Sequence, residues 1–190
     1  MLWARCESRP CGSDQECRQE EFAALPDCLV LSSLRAMSAD RHLKRLARVW
    51  ANAPCYFITV CVAGRRPLLA SEAVHAVLRE EWTQMRARHG WAIGRYVVMP
   101  DHVHFMTSPE NEAGKRLSVA VGKWKEWTAK RLARERALAA PLWQAEFFDH
   151  VLRSDESRAA KWSYIAQNPV RAGLVAKAEE WPFAGAIDFE

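Results

Sequence analysis

Two histidines with one valine between them, His102 and His104, stand in "MPDHVHFMTSPE" directly after a strand-like run. Successive side chains of a strand point to opposite faces, so His102, His104 and Met106 point one way and Val103 and Phe105 the other. Two imidazoles one repeat apart form a two-point clamp for a divalent metal. The same spacing fits two half-buried histidines hydrogen-bonded to backbone or solvent, and a third ligand is needed to separate the two readings. "KWSYIAQNPVRAGL" offers candidates. On a helix Tyr164 and Asn168 are four apart and share a face, and the amide oxygen of Asn168 suits a hard cation. Tyr164 is the best-placed nucleophile of the three tyrosines, because Tyr56 and Tyr96 lie within strand-like segments. The plainer reading of Tyr164 is a helix aromatic with a packed ring and a wet hydroxyl. A free phenol, with a pKa near ~10, attacks poorly at neutral pH. A metal that draws charge from the non-bridging oxygens of a phosphodiester would supply the missing help. The product would be a phosphotyrosyl linkage, which conserves the bond energy for rejoining.

The elements that must position these residues can be read from hydrophobic period and punctuation. "CYFITVCV", residues 55–62, is β-branched and aromatic and bounded by Pro54 and Gly64, so it reads as a buried strand. A helix follows from an N-cap at Ser71, with Val74, Val77, Leu78, Glu81, Trp82 and Met85 as its stripe and Gly90 as its stop. "WAIGRYVVM" is a second strand, Pro100–Asp101 a turn or bulge, and "HVHFMTS" a third strand. Residues 114–136 form a long basic helix, "QAEFFDHVLR" a fourth strand, and residues 154–168 a helix capped by Ser154 and closed by Pro169. A short tail packs down through Trp181 and Phe183. The first six elements match a ferredoxin-like split βαβ arrangement: α+β, with an antiparallel sheet and helices on one face.

The quoted blocks, with "WQAEFFDHVLRSDES", "YIAQNPVRAGLV" and "EEWPFAGA", resemble the single-tyrosine HUH transposases of insertion-sequence type. More narrowly they resemble the REP-associated tyrosine transposases, from about Arg41 to Gly185. The resemblance implies a ferredoxin-like core with the histidine pair on a sheet strand and the tyrosine on a later, C-terminal helix. It implies that His102 and His104 bind the metal, that Asn168 is a third ligand and that Tyr164 is the nucleophile. It also implies Mg2+ or Mn2+ as the cofactor, although ligand chemistry alone leans to a softer ion for two histidines. The expected activity is cleavage and rejoining of DNA at REP-like hairpins, through a 5′-phosphotyrosine. The expected partner is a single-stranded DNA hairpin, with monomer or homodimer left open. In the shared "FFDHVLR" block, Arg153 is either a phosphate clamp or a structural ion pair. His150 is a supporting group or a surface residue. Asp101 either orients an imidazole or merely makes the turn.

The basic helix carries Arg116, Lys123, Trp127, Lys130 and Arg134 along one line, which suits a nucleic-acid backbone and an unpaired base. Lys44 and Arg45 could reach a hairpin stem. The net charge of the chain is +4, but residues 1–36 hold four basic and six acidic side chains. The rest therefore has 23 basic and 17 acidic, a modest surplus that suits a polyanion. Residues 1–36 show no sustained period and read as an appended, poorly ordered extension, or as the result of an upstream start with translation beginning at Met37. Residues 37–190 read as one domain. With 49% hydrophobic residues the chain can build a core, yet no run reaches the ~18 apolar residues of a membrane span and the N-terminus lacks a signal-peptide segment. The expected location is cytoplasmic and nucleoid-associated. All six cysteines precede residue 62; the first four match no zinc module, and Cys55 and Cys61 read as core thiols. Two other functions stay open: a catalytically silent hairpin-binding protein, and a metal-dependent hydrolase that uses water as nucleophile.

Overall fold

A computed structural model describes residues 54–111 and 114–190. The expectations for residues 1–36, and for Lys44 and Arg45, fall outside the described residues. Five strands form one antiparallel sheet: β1 (Cys55–Cys61), β2 (Trp91–Met99), β3 (His102–Pro109), β4 (Phe148–Leu152) and β5 (Ala184–Ala186). Their order is β4-β1-β3-β2-β5. The first four strands, with α1 (Glu72–Thr83) after β1 and α3 (Leu117–Arg136) after β3, reproduce the expected split βαβ core.

Strand parity divides the sheet into two chemically different faces. Tyr56, Ile58 and Val60 of β1, with Val103 and Phe105 of β3, join Trp82 of α1 and Trp124 of α3 in the main core. The two indoles stack with centroids 5.2 Å apart. The opposite face carries Phe57, Val97, Met99, Met106 and Leu152, covered by Ile165 of the C-terminal helix α4 (Asp155–Ala166). The two core helices therefore share one face, and α4 closes the other. Register keeps both faces coherent. His104 pairs with Thr59 on one side and Val97 on the other, and His102 pairs with Cys61 and Met99. In β2 an irregularity between Ile93 and Tyr96 adds one residue, which lets both side chains reach the same core although they are three apart.

Local chemistry explains the ends of the elements. Ser71 caps α1, its hydroxyl accepting from the Val74 N–H at 3.4 Å, and Ser154 with Ser157 forms a reciprocal capping box on α4. The helix expected up to Gly90 is interrupted at Gln84, giving a short α2 (Met85–His89) that Gly90 ends at φ 73. Pro169 does not close the last helix. That helix stops at Ala166, and Pro169 is buried in the first turn of α5 (Asn168–Arg171), where no amide N–H is required. The fourth strand is shorter than "QAEFFDHVLR" suggested, beginning at Phe148, because the carbonyls of Gln144 and Ala145 bind Lys125 of α3. The tail packs as expected, Trp181 donating its indole N–H to the Val98 carbonyl at 3.0 Å, and then adds the edge strand β5. Cys55 is a buried free thiol, and Cys61 is buried beside the site face.

Candidate active site

The two-residue turn Pro100–Asp101 sets the start of β3, and it is fixed from both carbonyls. Leu69 N–H donates to the Pro100 oxygen and Val62 N–H to the Asp101 oxygen, each at 2.8 Å. His102 and His104 then emerge side by side on the α4 face, ring centroids 4.6 Å apart and nearly perpendicular. Their Nε2 atoms converge at 3.1 Å. Each Nδ1 is held from behind. Asp101 Oδ1 lies 2.6 Å from His102 Nδ1, and Thr59 Oγ1 lies 2.9 Å from His104 Nδ1. Asp101 is in turn paired with Arg65 at 2.9 Å, and Phe57 stacks on the His104 ring.

Electrostatics set the protonation of this cluster. Burial, and after it the positive neighbours His102, Lys161, Arg65 and Arg171, hold the pKa of His104 well below the ordinary imidazole value, so it presents a neutral ring. Burial alone would raise Asp101, but its hydrogen bond to His102 and the charges of His102 and Arg65 bring it below the usual carboxylate range. When His102 is neutral, an ionised Asp101 accepts a hydrogen bond from its Nδ1–H and the Nε2 lone pair is left free. If His104 donates its Nδ1 proton to Thr59, a second lone pair faces the first. Two such lone pairs repel unless a cation takes both. Adjacent ligands about 2.1 Å from an octahedral ion and at right angles to each other stand about 3.0 Å apart, which the observed separation fits. No group of three or more His, Cys, Asp or Glu side chains suited to a metal occurs among the described residues, so a third ligand drawn from them would be of another type.

Tyr164 lies on α4, the helix that covers the same face. It is 42% exposed and next, in helical projection, to the inward stripe of Lys161 and Ile165. Asn168 does not continue that helix. It opens α5 beyond the break, and its Oδ1 accepts a hydrogen bond from Arg171. The Arg171 guanidinium also lies 3.9 Å from the Tyr164 ring centroid and donates to the Tyr164 carbonyl at 2.8 Å. Arg153 is exposed immediately after β4, and His150 of β4 pairs in register with Phe57 on the site face.

The basic stripe is not part of this constellation. Arg116 immediately precedes α3, while Lys123, Trp127, Lys130 and Arg134 belong to that helix, which packs on the other face of the sheet. Its charges are also partly neutralised. Glu126 accepts from both Lys123 and Lys130, and Glu135 accepts from Arg134. Trp127 remains 46% exposed, with Lys130 over its ring. Sequence reasoning missed Thr59, Lys161 and Arg171. Thr59 was detectable as the single aliphatic hydroxyl in an otherwise apolar strand, and Lys161 and Arg171 by their offsets of −3 and +7 from Tyr164.

The fold and site together define a class: an α+β protein whose antiparallel sheet bears a histidine pair on the face covered by a tyrosine-bearing helix. A family model described as "Transposase IS200 like" matches residues 53–168. The chain belongs to the IS200-like transposase family, whose members cleave and transfer DNA. It is 26% identical over 137 residues to a REP-associated tyrosine transposase of Haemophilus influenzae, covering 68% of this chain and 77% of the relative. It is 26% identical over 138 residues to the REP-associated tyrosine transposase of Escherichia coli, covering 72% and 79%. The solved structure of a REP-associated tyrosine transposase bound to a REP hairpin superposes with a TM-score of 0.62 at 23% identity, over 75% of this chain and 82% of that one. That likeness establishes the shared fold.

Proposed function

We propose that this transposase cleaves single-stranded DNA beside a REP-like hairpin and rejoins the ends through a 5′-phosphotyrosine at Tyr164. The observation that supports this most directly is the convergence of the two Nε2 atoms at 3.1 Å, each ring held at Nδ1 by its own partner. His102 and His104 would hold Mg2+ or Mn2+, joined by Asn168 once its amide oxygen exchanges Arg171 for the ion. A bound divalent ion supplies Lewis-acid polarisation of the scissile phosphate. The Tyr164 phenol oxygen attacks phosphorus as its proton passes to water, the bond to the 3′ oxygen breaks, and that oxygen leaves as a 3′-hydroxyl by taking a proton from water. Attack by a 3′-hydroxyl on the phosphotyrosine reverses the step and restores a phosphodiester. Arg171, stacked on the ring and bonded to the Tyr164 carbonyl, holds the nucleophile in place. The hairpin as partner is supported by the names of the relatives, and a cytoplasmic, nucleoid-associated location follows from such a substrate. No helix among the described residues is long and apolar enough to cross a membrane.

Labelled hairpin strands from the host genome, incubated with Mg2+ or Mn2+ and resolved on a denaturing gel, test this. Wild type should yield a protein-linked band that Tyr164→Phe and His102→Ala do not. Cleavage that persists in Tyr164→Phe without the band would assign the attack to water. A gel shift with neither product would leave a silent hairpin-binding protein.

A further inference from the structure

Lys161 is one helical turn before Tyr164 and reaches down onto the histidine face. Its Nζ lies 4.8 Å from the centroid of Phe57. Phe57 is the register partner of Met106 and His150, and its ring stacks on His104 with centroids 5.3 Å apart. The ammonium therefore lies against the aromatic ring that stacks on His104, on the sheet face that α4 covers. Burial pushes its pKa below that of an ordinary lysine, and among the described residues no carboxylate pairs with it. Asp149, the acid nearest in β4, pairs in register with Ile58, whose side chain belongs to the opposite core. The other charges that reach His104 from this side, including Arg171, are also positive. A half-buried ammonium without a counter-ion is unfavourable in isolation, and an anion that enters the site offsets that cost. The aromatic face beneath it supplies a weak cation–π contact and no neutralising charge.

We infer that Lys161 is a further positioning residue of this site, its ammonium holding a non-bridging oxygen of the scissile phosphate between Tyr164 and the histidine pair. The inference rests on the proposed reaction. It adds the group that fixes the phosphate before attack.

The test begins with the wild-type adduct, which maps the cleaved position; absence of any adduct overturns the tyrosine mechanism, and this inference with it, before a Lys161 variant is made. DNA is then synthesised with an ordinary phosphodiester or a neutral methylphosphonate at that position. Both strands are titrated into uncleaving Tyr164→Phe protein in the presence of chelator, so that no metal contributes. With Lys161 present, neutralising that phosphate should weaken binding about tenfold, the range of a charge-assisted contact. Lys161→Gln should weaken binding of the phosphodiester strand by a similar factor and abolish the difference between the two strands. Lys161→Arg, which keeps the charge, should restore the difference. If Lys161→Gln leaves the difference intact, or weakens both strands equally, Lys161 is a structural lysine and the inference falls.

Discussion

At the residue scale, the behaviour of the histidine pair depends on what stands behind each ring. His102 is backed by a carboxylate and His104 by a hydroxyl, so the two Nε2 lone pairs are aimed through different chemistry. Thr59→Val keeps the size and the β-branched shape but removes the hydroxyl behind His104. It should lower Mn2+ affinity about tenfold in calorimetric titration, within the range seen when a ligand's supporting hydrogen bond is lost, while the urea midpoint moves little. An unchanged affinity would mean that Thr59 does not set the tautomer. The pair itself was legible in the sequence because strand alternation places the residues on one face. Its backing was not, because Thr59 reaches His104 through a strand pairing 45 residues away.

At the scale of elements, α3 packs on the sheet face opposite the histidine pair, so the DNA contacts proposed for it should fall away from the cleaved phosphate. Glu126 clamps two of the four cations in the stripe. Glu126→Gln should therefore strengthen hairpin binding and steepen its salt dependence, as two lysines become available to phosphates. Trp127→Ala should weaken binding to unpaired DNA about tenfold if a base stacks there. Fluorescence titration over a salt series checks both, and identical curves for both variants and wild type would remove α3 from the interface. The elements were readable where their periods were long. α1 and α3 announced themselves through apolar stripes and α4 through its cap. β5 did not, since Ala184, Gly185 and Ala186 carry no strand preference and pair only because β2 offers an open edge. The break at Gln167 was also hidden, because Pro169 serves the start of a helix as readily as its end.

At the scale of the molecule, one chain supplies both the sheet-borne histidines and the covering helix with Tyr164. Mixing Tyr164→Phe with His102→Ala protein should thus fail to restore the covalent band, whereas restored activity would mean that α4 is exchanged between two copies. The fold should also be sensitive to acid. Burial, with nearby positive charge, depresses His75, His89, His104 and His150 below the free imidazole value. Below pH ~6.5 the unfolded chain binds protons that these native rings refuse, so stability is fully present above that pH and falls as pH drops through it towards the native values. Urea midpoints at pH 7.5 and 5.5 should show the loss; equal midpoints would contradict it. The alternation of β3 has a further consequence, for heredity. Codons 103 and 105 write the core and codons 102 and 104 write the proposed metal pair, interleaved in a strand bracketed by Pro100 and Pro109. Drift at the first set should erode the amount of folded protein, and under the proposed function drift at the second should leave a folded but inert one. A single codon gained between Asp101 and His102 exchanges the two sets and should spoil both at once, so this strand can change by substitution far more readily than by length.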